Sequence, residues 1–489
     1  MAFIDSTIVN VALPALQSSF GATVIDAQWV IESYGLLLGA LILVGGSIGD
    51  LFGRRRAFLI GVIVFTIASV WCGLSPDIHQ LIIARAIQGL GAAFLVPGSL
   101  ALISASFDKS ERGRAIGTWS GATAITTAIG PVLGGWLIQH ASWRWAFFLN
   151  LPFAVAVIAI SLKHVPESRS TSAKRVDWLG AAIVTVGLGG LVYGLIESAR
   201  LGWSNPFVLG ALVIGVVGLI AFFFVEDRVA EPMVPLQLFQ SRSFSGANLL
   251  TLFLYAATGI FFFLFPLNLI QVQGYSATAA GAAALPFILL MSALSRWSGG
   301  LIARYGARLP LIVGPLITAA GFILFAIPFI GGSYWTAFFP AFTVLGFGMT
   351  VSVAPLTTVV MDAVKQDRAG TASGINNAVS RIAGLLAVAV LGIVMLWLFS
   401  TNLDRSLAGL PLSTEQREDI KSSYVQLAAL EIPQGLDRTT SNEIRTSVNQ
   451  AFVYGFRLVM LICAGLSVVG AAQSWWLIPA HPDLRRQPL

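Results

Sequence analysis

Residues 45–61, GGSIGDLFGRRRAFLIG, place one acid and three consecutive arginines between two apolar runs, each long enough to cross a bilayer. A hydrocarbon core of about 30 Å takes about 20 apolar residues per helix, so this stretch reads as a membrane hairpin with its charged tip in water. Positively charged loops are retained on the cytoplasmic side, which assigns Arg54, Arg55 and Arg56 to that face. Gly46 and Gly53 let two helix ends approach closely around Asp50, a joint suited to a gate. The pattern returns, weaker, at residues 299–311, GGLIARYGARLPL. Aligned without gaps, Gly46 meets Gly299, Gly53 meets Gly306 and Arg55 meets Arg308, while Asp50 becomes Ala303. The chain therefore reads as an internal duplication with unequal halves.

Only 11% of the residues are charged and 56% are hydrophobic, against about 25% charged in soluble domains. The expected class is an all-α polytopic membrane protein in a lipid bilayer, with no room for a soluble domain of ordinary size. Cys72 and Cys463 both lie in apolar runs, so neither a disulfide framework nor a thiolate metal site is indicated. His79, His140, His164 and His481 are dispersed, and no metal or other cofactor is expected. The basic residues are spread over short loops rather than gathered into a patch, which argues against nucleic acid as a partner and for membrane topology.

Fourteen helices are predicted, among them 1–16, 27–48, 57–75, 115–139 and 309–329. With the first loop external, the inner loops and tail carry Arg54 to Arg56, Lys109, Arg112, Arg114, Lys163, Arg169, Lys174, Arg175, Arg228, Arg242, Arg304, Arg308, Lys365, Arg368, Arg485 and Arg486. The short outer loops carry Arg144 and Arg200, so both termini are expected in the cytoplasm. An outer segment, 400–450, is rich in both charges and holds either an amphipathic helix around 413–430 or a solvated linker. A helix from Met1 to Leu16 covers about 24 Å, short of the core, so a preceding stretch is expected. No cleavable signal peptide is visible.

At this point the residues resemble a known family. GSIGDLFGRRR is similar to the cytoplasmic signature of the major facilitator superfamily. IDSTIVNVALP (4–14), LIIARAIQGLGAA (81–93) and AIGPVLGGWL (128–137) resemble markers of its drug:proton antiporters. WRWAFFLNLP (143–152), fourteen helices and a long last outer loop look like the EmrB/QacA type. The resemblance implies a major facilitator fold with two six-helix bundles and two inserted helices. The expected divisions are 1–165, 166–240 and 241–489, with substrate bound near midplane between the bundles. It implies a proton-coupled antiporter of the cytoplasmic (inner) membrane that exports amphipathic organic compounds or drugs. Its partners would be a small-molecule substrate, protons and, as a further candidate, a periplasmic adaptor.

Ionisable groups inside a bilayer cost about 2.5 to 3.5 kcal/mol or more at helix centre, and this chain keeps Asp5, Glu32, Arg85, Arg296, Arg381 and Arg457. Glu32 and Arg85 lie at matching depths, so an ion pair between them is expected, and Asp5, Glu32 and Arg85 are the candidate proton-coupling residues. Arg381 and Arg457, without an obvious acid, are expected to bond carbonyls or snorkel. The resemblance makes Asp50 and Arg54 to Arg56 a cytoplasmic latch, with the N-terminus of helix thirteen near Gly370 to Gly374 facing Asp50. Gly121, Gly130, Pro131, Gly134 and Gly135 in helix five carry the antiporter pattern, which sets the direction of coupling. Phe253, Tyr255, Phe261, Phe262, Asn10, Asn268, Asn376 and Asn377 are candidates for the substrate cavity. The alternative is a dedicated exporter of a single metabolite, antibiotic or lipid. No nucleophile and base at bilayer depth point to an enzyme.

Overall fold

The computed structural model describes residues 1–107, 109–169, 176–328, 330–364, 369–433 and 436–479, with the surroundings of residues 104, 109–114, 116, 117, 120, 121, 124, 128, 369 and 370 outside that description. The loop cations Lys109, Arg112, Arg114, Lys174, Arg175, Lys365, Arg368, Arg485 and Arg486, and Gly121 of helix five, fall outside it.

Among the described residues the structure is helical throughout, without strands. The first seven helices are α1 (Ala2–Phe20), α2 (Val24–Phe52), α3 (Arg54–Leu74), α4 (Ile78–Ser106), α5 (Lys109–His140), α6 (Trp145–Phe148) and α7 (Asn150–His164). A hairpin of α8 (Trp178–Leu201) and α9 (Pro206–Glu226) follows. Next come α10 (Arg242–Leu267), α11 (Ala277–Ala283), α12 (Leu285–Gly299), α13 (Leu301–Tyr305) and α14 (Pro310–Phe325). The last are α15 (Tyr334–Ala337), α16 (Phe339–Asp362), α17 (Ala369–Leu407), α18 (Thr414–Ser422) and α19 (Arg438–Leu477). Eleven helical stretches among the described residues are long and apolar enough to cross a membrane. The predicted spans 1–16 and 309–329 are also helical, as α1 and α14, but α14 has only 16 residues and α1 is not among those eleven; 115–139 is helical as α5, much of which lies outside the residues whose surroundings are described.

The helices α2, α3 and α4 pack together, α10, α14, α16, α17 and α19 form a second group, and α8 lies against both α2 and α17. A buried carboxylate ties the α8–α9 hairpin to α2: Glu197 accepts from Trp29 Nε1 at 2.8 Å and pairs with Arg200 at 2.7 Å. The second group is cemented by phenylalanine. Phe261 is fully buried among Phe265, Phe322, Phe325 and Phe342, which removes it from the candidate cavity lining. Phe253 instead lies beside Gly470 of α19.

The hairpin that opened the sequence is tighter than a loop. Helix α2 continues through Asp50 to Phe52 and α3 begins at Arg54, leaving Gly53 as the single break, at φ +119°. That conformation is open to glycine and strained for other residues. The orphan amides at the start of α3 are met by Glu167, whose carboxylate accepts from Arg55 N at 3.0 Å and Arg56 N at 3.2 Å. A carboxylate on a helix N-terminus is favoured by both hydrogen bonding and the dipole.

The duplicated arginines do the same work in both places. Arg55 Nη1 donates to the carbonyl of Val165, just past the end of α7, at 2.9 Å, and Arg308 Nη2 donates to the carbonyl of Trp475 in the last turn of α19. Gly306, like Gly53, has positive φ, at +74°. Each arginine thus closes the negative end of a helix dipole. Arg308 also stacks 4.2 Å over the Trp475 ring. We expect Arg55→Ala and Arg308→Ala each to cost about 1 kcal/mol, and lysine to restore Arg308 poorly because it lacks the planar stacking group. Thermal melting of the purified protein would show this, and equal melting of Arg308→Lys and wild type would refute the stacking contribution.

At the end of the molecule opposite this hairpin, the charged segment 400–450 is packed rather than a solvated linker. It holds α18, started by a Ser413–Gln416 capping box, and a short 3₁₀ turn, Tyr424–Ala429. Ile420, Leu427, Ala428 and Leu430 are buried, and the turn rests on α1, α2 and the π-helical turn Asn268–Val272.

Candidate functional site

Two polar residues one turn apart on α4, Arg85 and Gln88, meet an acid from α1 inside the first group of helices. Arg85, 1% exposed, pairs with Asp5 at 2.6 Å. Its Nη1 also donates to Gln88 Oε1 at 2.7 Å, and its Nε to the Val30 carbonyl at 3.1 Å. The guanidinium lies 4.2 Å from the centre of the Tyr34 ring. The second carboxylate oxygen of Asp5 accepts from Gln88 Nε2 at 2.9 Å and from Asn150 Nδ2 at 3.0 Å. Asn150 in turn donates to Ser69 Oγ at 3.0 Å. Five helices, α1, α2, α3, α4 and α7, therefore contribute to one buried ion pair and its hydrogen-bond network, with its hydrogen-bonding capacity largely filled, the condition under which such a pair is tolerated.

The expected partnership of Arg85 with Glu32 is not formed. Depth was matched but azimuth was not. Successive helical residues turn by about 100°, so Val30 and Tyr34, which face α4, and Glu32 lie on opposite sides of α2. Glu32 shares its side with Gln28, Gly35 and Gly39, all turned to α17. Gln28 donates to the Val388 carbonyl at 3.2 Å, and a methyl built on Gly39 would stand 3.4 Å from Arg381 Cβ. Glu32 is 1% exposed, and its Oε2 has no hydrogen-bond partner.

At the hairpin, Asp50 pairs with Arg54 at 2.8 Å within its own joint, and Arg56 lies 3.7 Å from Glu167. The helix end expected to face Asp50 is the start of α17 at Ala369, and residues 365–368 before it lie outside the described residues. Gly46 is close to Pro97 of α4.

In α5 the small residues face two different neighbours. A methyl built on Gly130 would stand 2.2 Å from Thr7 Oγ1, and one on Gly134 2.8 Å from Ile8, both on α1. One on Gly135 would stand 2.2 Å from the Ala277 carbonyl, and one on Gly281 of α11 2.0 Å from the Pro131 carbonyl. Backbone thus meets backbone between α5 and α11, at the end opposite the arginine hairpin. The same end is joined by Gln271 Nε2 to Gln17 Oε1 at 2.9 Å and by Thr278 Oγ1 to Gln139 Oε1 at 2.7 Å.

The cavity candidates separate. Asn376 donates to Asn248 Oδ1 and Thr251 Oγ1 of α10 at 3.1 and 2.7 Å, a structural tie rather than a free ligand. Asn377 is exposed and Asn10 and Tyr255 are half-buried. Phe262 packs on Phe287, and Asn268 is buried in the π turn with Oδ1 unpartnered. Gln88, Asn150 and Glu167 were not singled out from sequence. Gln88 and Asn150 lie in the motifs 81–93 and 143–152, so the signal was present, whereas Glu167 stands in a polar loop that no pattern marks. Among the described residues no group of three His, Cys, Asp or Glu is placed to hold a metal ion.

The sequence matches the profile of the Major Facilitator Superfamily twice, over residues 1–179 and 173–388. The chain is a member of the major facilitator superfamily. Relatives include the multidrug resistance protein Stp of Mycobacterium tuberculosis, 38% identical, covering 82% of this chain and 75% of that protein. The tetracenomycin C resistance and export protein of Streptomyces glaucescens is 32% identical over 99% of this chain and 90% of its own, and the puromycin resistance protein pur8 of Streptomyces alboniger is 36% identical over 80% and 78%. Among solved structures, an inward-facing, unoccupied bacterial homolog of the human lysosomal transporter Spinster covers 96% of this chain and 94% of its own, with TM-score 0.61 at 18% identity. The POT family transporter PepTSo has TM-score 0.61 at 15% identity, covering 98% of both chains. The all-helical fold is that of a major facilitator, a multi-pass membrane transporter of small molecules.

Proposed function

We propose that the chain is a proton-coupled antiporter that exports amphipathic organic compounds across the cytoplasmic membrane by alternating access. The observation that carries the coupling is the buried Asp5–Arg85 pair, held by polar groups from α3, α4 and α7. Loading a proton onto Asp5 cancels the attraction that keeps Arg85 in place, so protonation and helix position become one equilibrium. Glu32, on the α2 side that faces α17, is a second proton site at the contact between the two groups of helices. Export is supported by resistance and export relatives that span most of the chain.

In this reading residues 1–165 and 241–489 form two six-helix bundles, with α8 and α9 inserted between them and fourteen crossings in all. The arginine-bearing loops put both termini in the cytoplasm. The α5–α11 contact then seals the outer face, and the Asp50 joint waits at the inner mouth to latch when the inner face closes. Neither helix insertion nor latch requires a periplasmic adaptor, which remains a candidate partner for delivery beyond the periplasm.

The test is efflux of a panel of unrelated fluorescent dyes from proteoliposomes with an imposed pH gradient, with and without a protonophore. Export of several dyes that collapses with the protonophore is expected. Export of one compound class alone would favour a dedicated exporter, and protonophore-insensitive efflux would remove the proton. Glu32→Gln is expected to slow gradient-driven transport about ten-fold or more, while leaving gradient-free dye exchange in place. Unchanged driven transport would make Glu32 a packing residue.

A further inference from the structure

Among the described residues, a cation where the two helix groups meet has neither an acid nor a hydrogen-bond acceptor as partner. Arg381, on α17, is half-buried, and no hydrogen bond or ion pair ties it to another described residue. Its described neighbour is the Phe3 ring of α1, 5.9 Å from the guanidinium carbon. Its Cβ packs beside Gly39 of α2, and one turn further along α17 Gly384 faces Gly259 and the Tyr255 carbonyl of α10. It therefore lies where α1 and α2 meet α10 and α17, the junction at which a transported molecule must pass. Trp119 of α5 meets Phe3 edge-on at 6.3 Å, and Asn377 is exposed one turn away on α17.

The other charges near this junction are accounted for. Asp5 and Arg85 neutralise each other at 2.6 Å. Glu32 is almost completely shielded and lies two turns from Gly39 along α2. Arg457 is engaged with the Ala326 carbonyl. What a solute between the two helix groups meets is a half-buried guanidinium beside the Phe3 ring, with Trp119 edge-on to Phe3. An unpaired charge at membrane depth is costly and marks a ligand path. Guanidinium offers a planar fork of donors suited to an oxyanion and a face suited to aromatic stacking.

We propose that Arg381 is the specificity-determining residue of the cleft and selects aromatic, amphipathic substrates that carry an ionised acidic group, a carboxylate or a phenolate. This rests on the export reading above and narrows it. The sequence points instead to an arginine that bonds carbonyls or snorkels. On α17 the residue faces α2 and α1, with its Cβ beside Gly39 and its guanidinium beside Phe3.

The experiment compares fluorescein, which carries a carboxylate and a phenolate, with its uncharged methyl ether methyl ester, in proteoliposomes of the full chain under an imposed pH gradient. For wild type we expect a lower KM for fluorescein than for the ether ester. Arg381→Gln should raise the fluorescein KM by about 10- to 100-fold and change the ether ester KM less than about two-fold, and Arg381→Lys should recover part of the loss. Equal loss for both probes in Arg381→Gln would make Arg381 a structural or gating residue and overturn the proposal. Export of the ether ester by wild type without preference for fluorescein would also overturn it, while leaving the export reading intact. Export of neither probe by a preparation that exports other dyes would overturn the proposal and leave the export reading intact.

Discussion

Asp5→Asn is expected to abolish proton-driven transport and to destabilise the protein. Asparagine keeps the volume and can still accept from Gln88 or Asn150, but Arg85 is left 1% exposed without its counterion. Removing one partner of a buried pair costs about 3 to 5 kcal/mol, equivalent to about 10²- to 10³-fold or more in an equilibrium. Removing both partners is less harmful than removing one, because no bare charge remains. Asp5→Asn combined with Arg85→Met should therefore melt at a higher temperature than Asp5→Asn alone. Gradient-driven transport should stay absent in the double variant. That combination separates the two roles of the pair. If the double variant regains driven transport along with its stability, the pair is structural and the relay through Asp5 is wrong.

The second large effect is conformational. At Gly135 a side chain would stand 2.2 Å from the Ala277 carbonyl, and the listener on the other side is backbone, which cannot swing away. Gly135→Leu is expected to prise α5 from α11 and shift the population toward the state open at that end. Overpacking of a tight contact costs about 1 to 3 kcal/mol, which moves a two-state ratio by about 5- to 150-fold. The two native cysteines, Cys72 and Cys463, are buried, so spin labels on cysteines placed at His140 and Ala279, both exposed, report the distance across the seam. Gly210→Leu is the control, since nothing lies within 4 Å of a methyl built there. A label distance in Gly135→Leu that matches the control would mean that the seam is not what holds this end shut.

Much of the site could be read from residue order alone. The glycines of α5, the acid and arginine of the first and fourth helices, and the duplicated hairpin were all visible as small or charged residues at bilayer depth. Their neighbours were not. Arg85 was assigned to Glu32 because depth along a helix follows from counting residues, whereas the direction of a side chain around the axis has meaning only once the facing helices are known. The same gap hid the α5 arrangement, in which Gly130 and Gly134 serve α1 while Gly135 serves α11. It also hid the split among the asparagines, of which Asn376 is tied to α10 and Asn377 is exposed.

Gly53 shows the two levels meeting at one residue. Its place between charged and apolar runs announces a turn, yet the turn is only one residue long, and Glu167, more than a hundred positions away, supplies the carboxylate that caps the next helix. By itself the sequence determined that this chain crosses a membrane many times as helices, that its halves repeat, and that a few ionisable groups are kept at depth. Those properties follow from hydropathy and chain length, which are local. Only the tertiary structure decided that Asp5 holds Arg85, that Glu32 faces α17 and that Arg381 has no charged partner among the described residues, because pairing of charges depends on which helix faces meet in space.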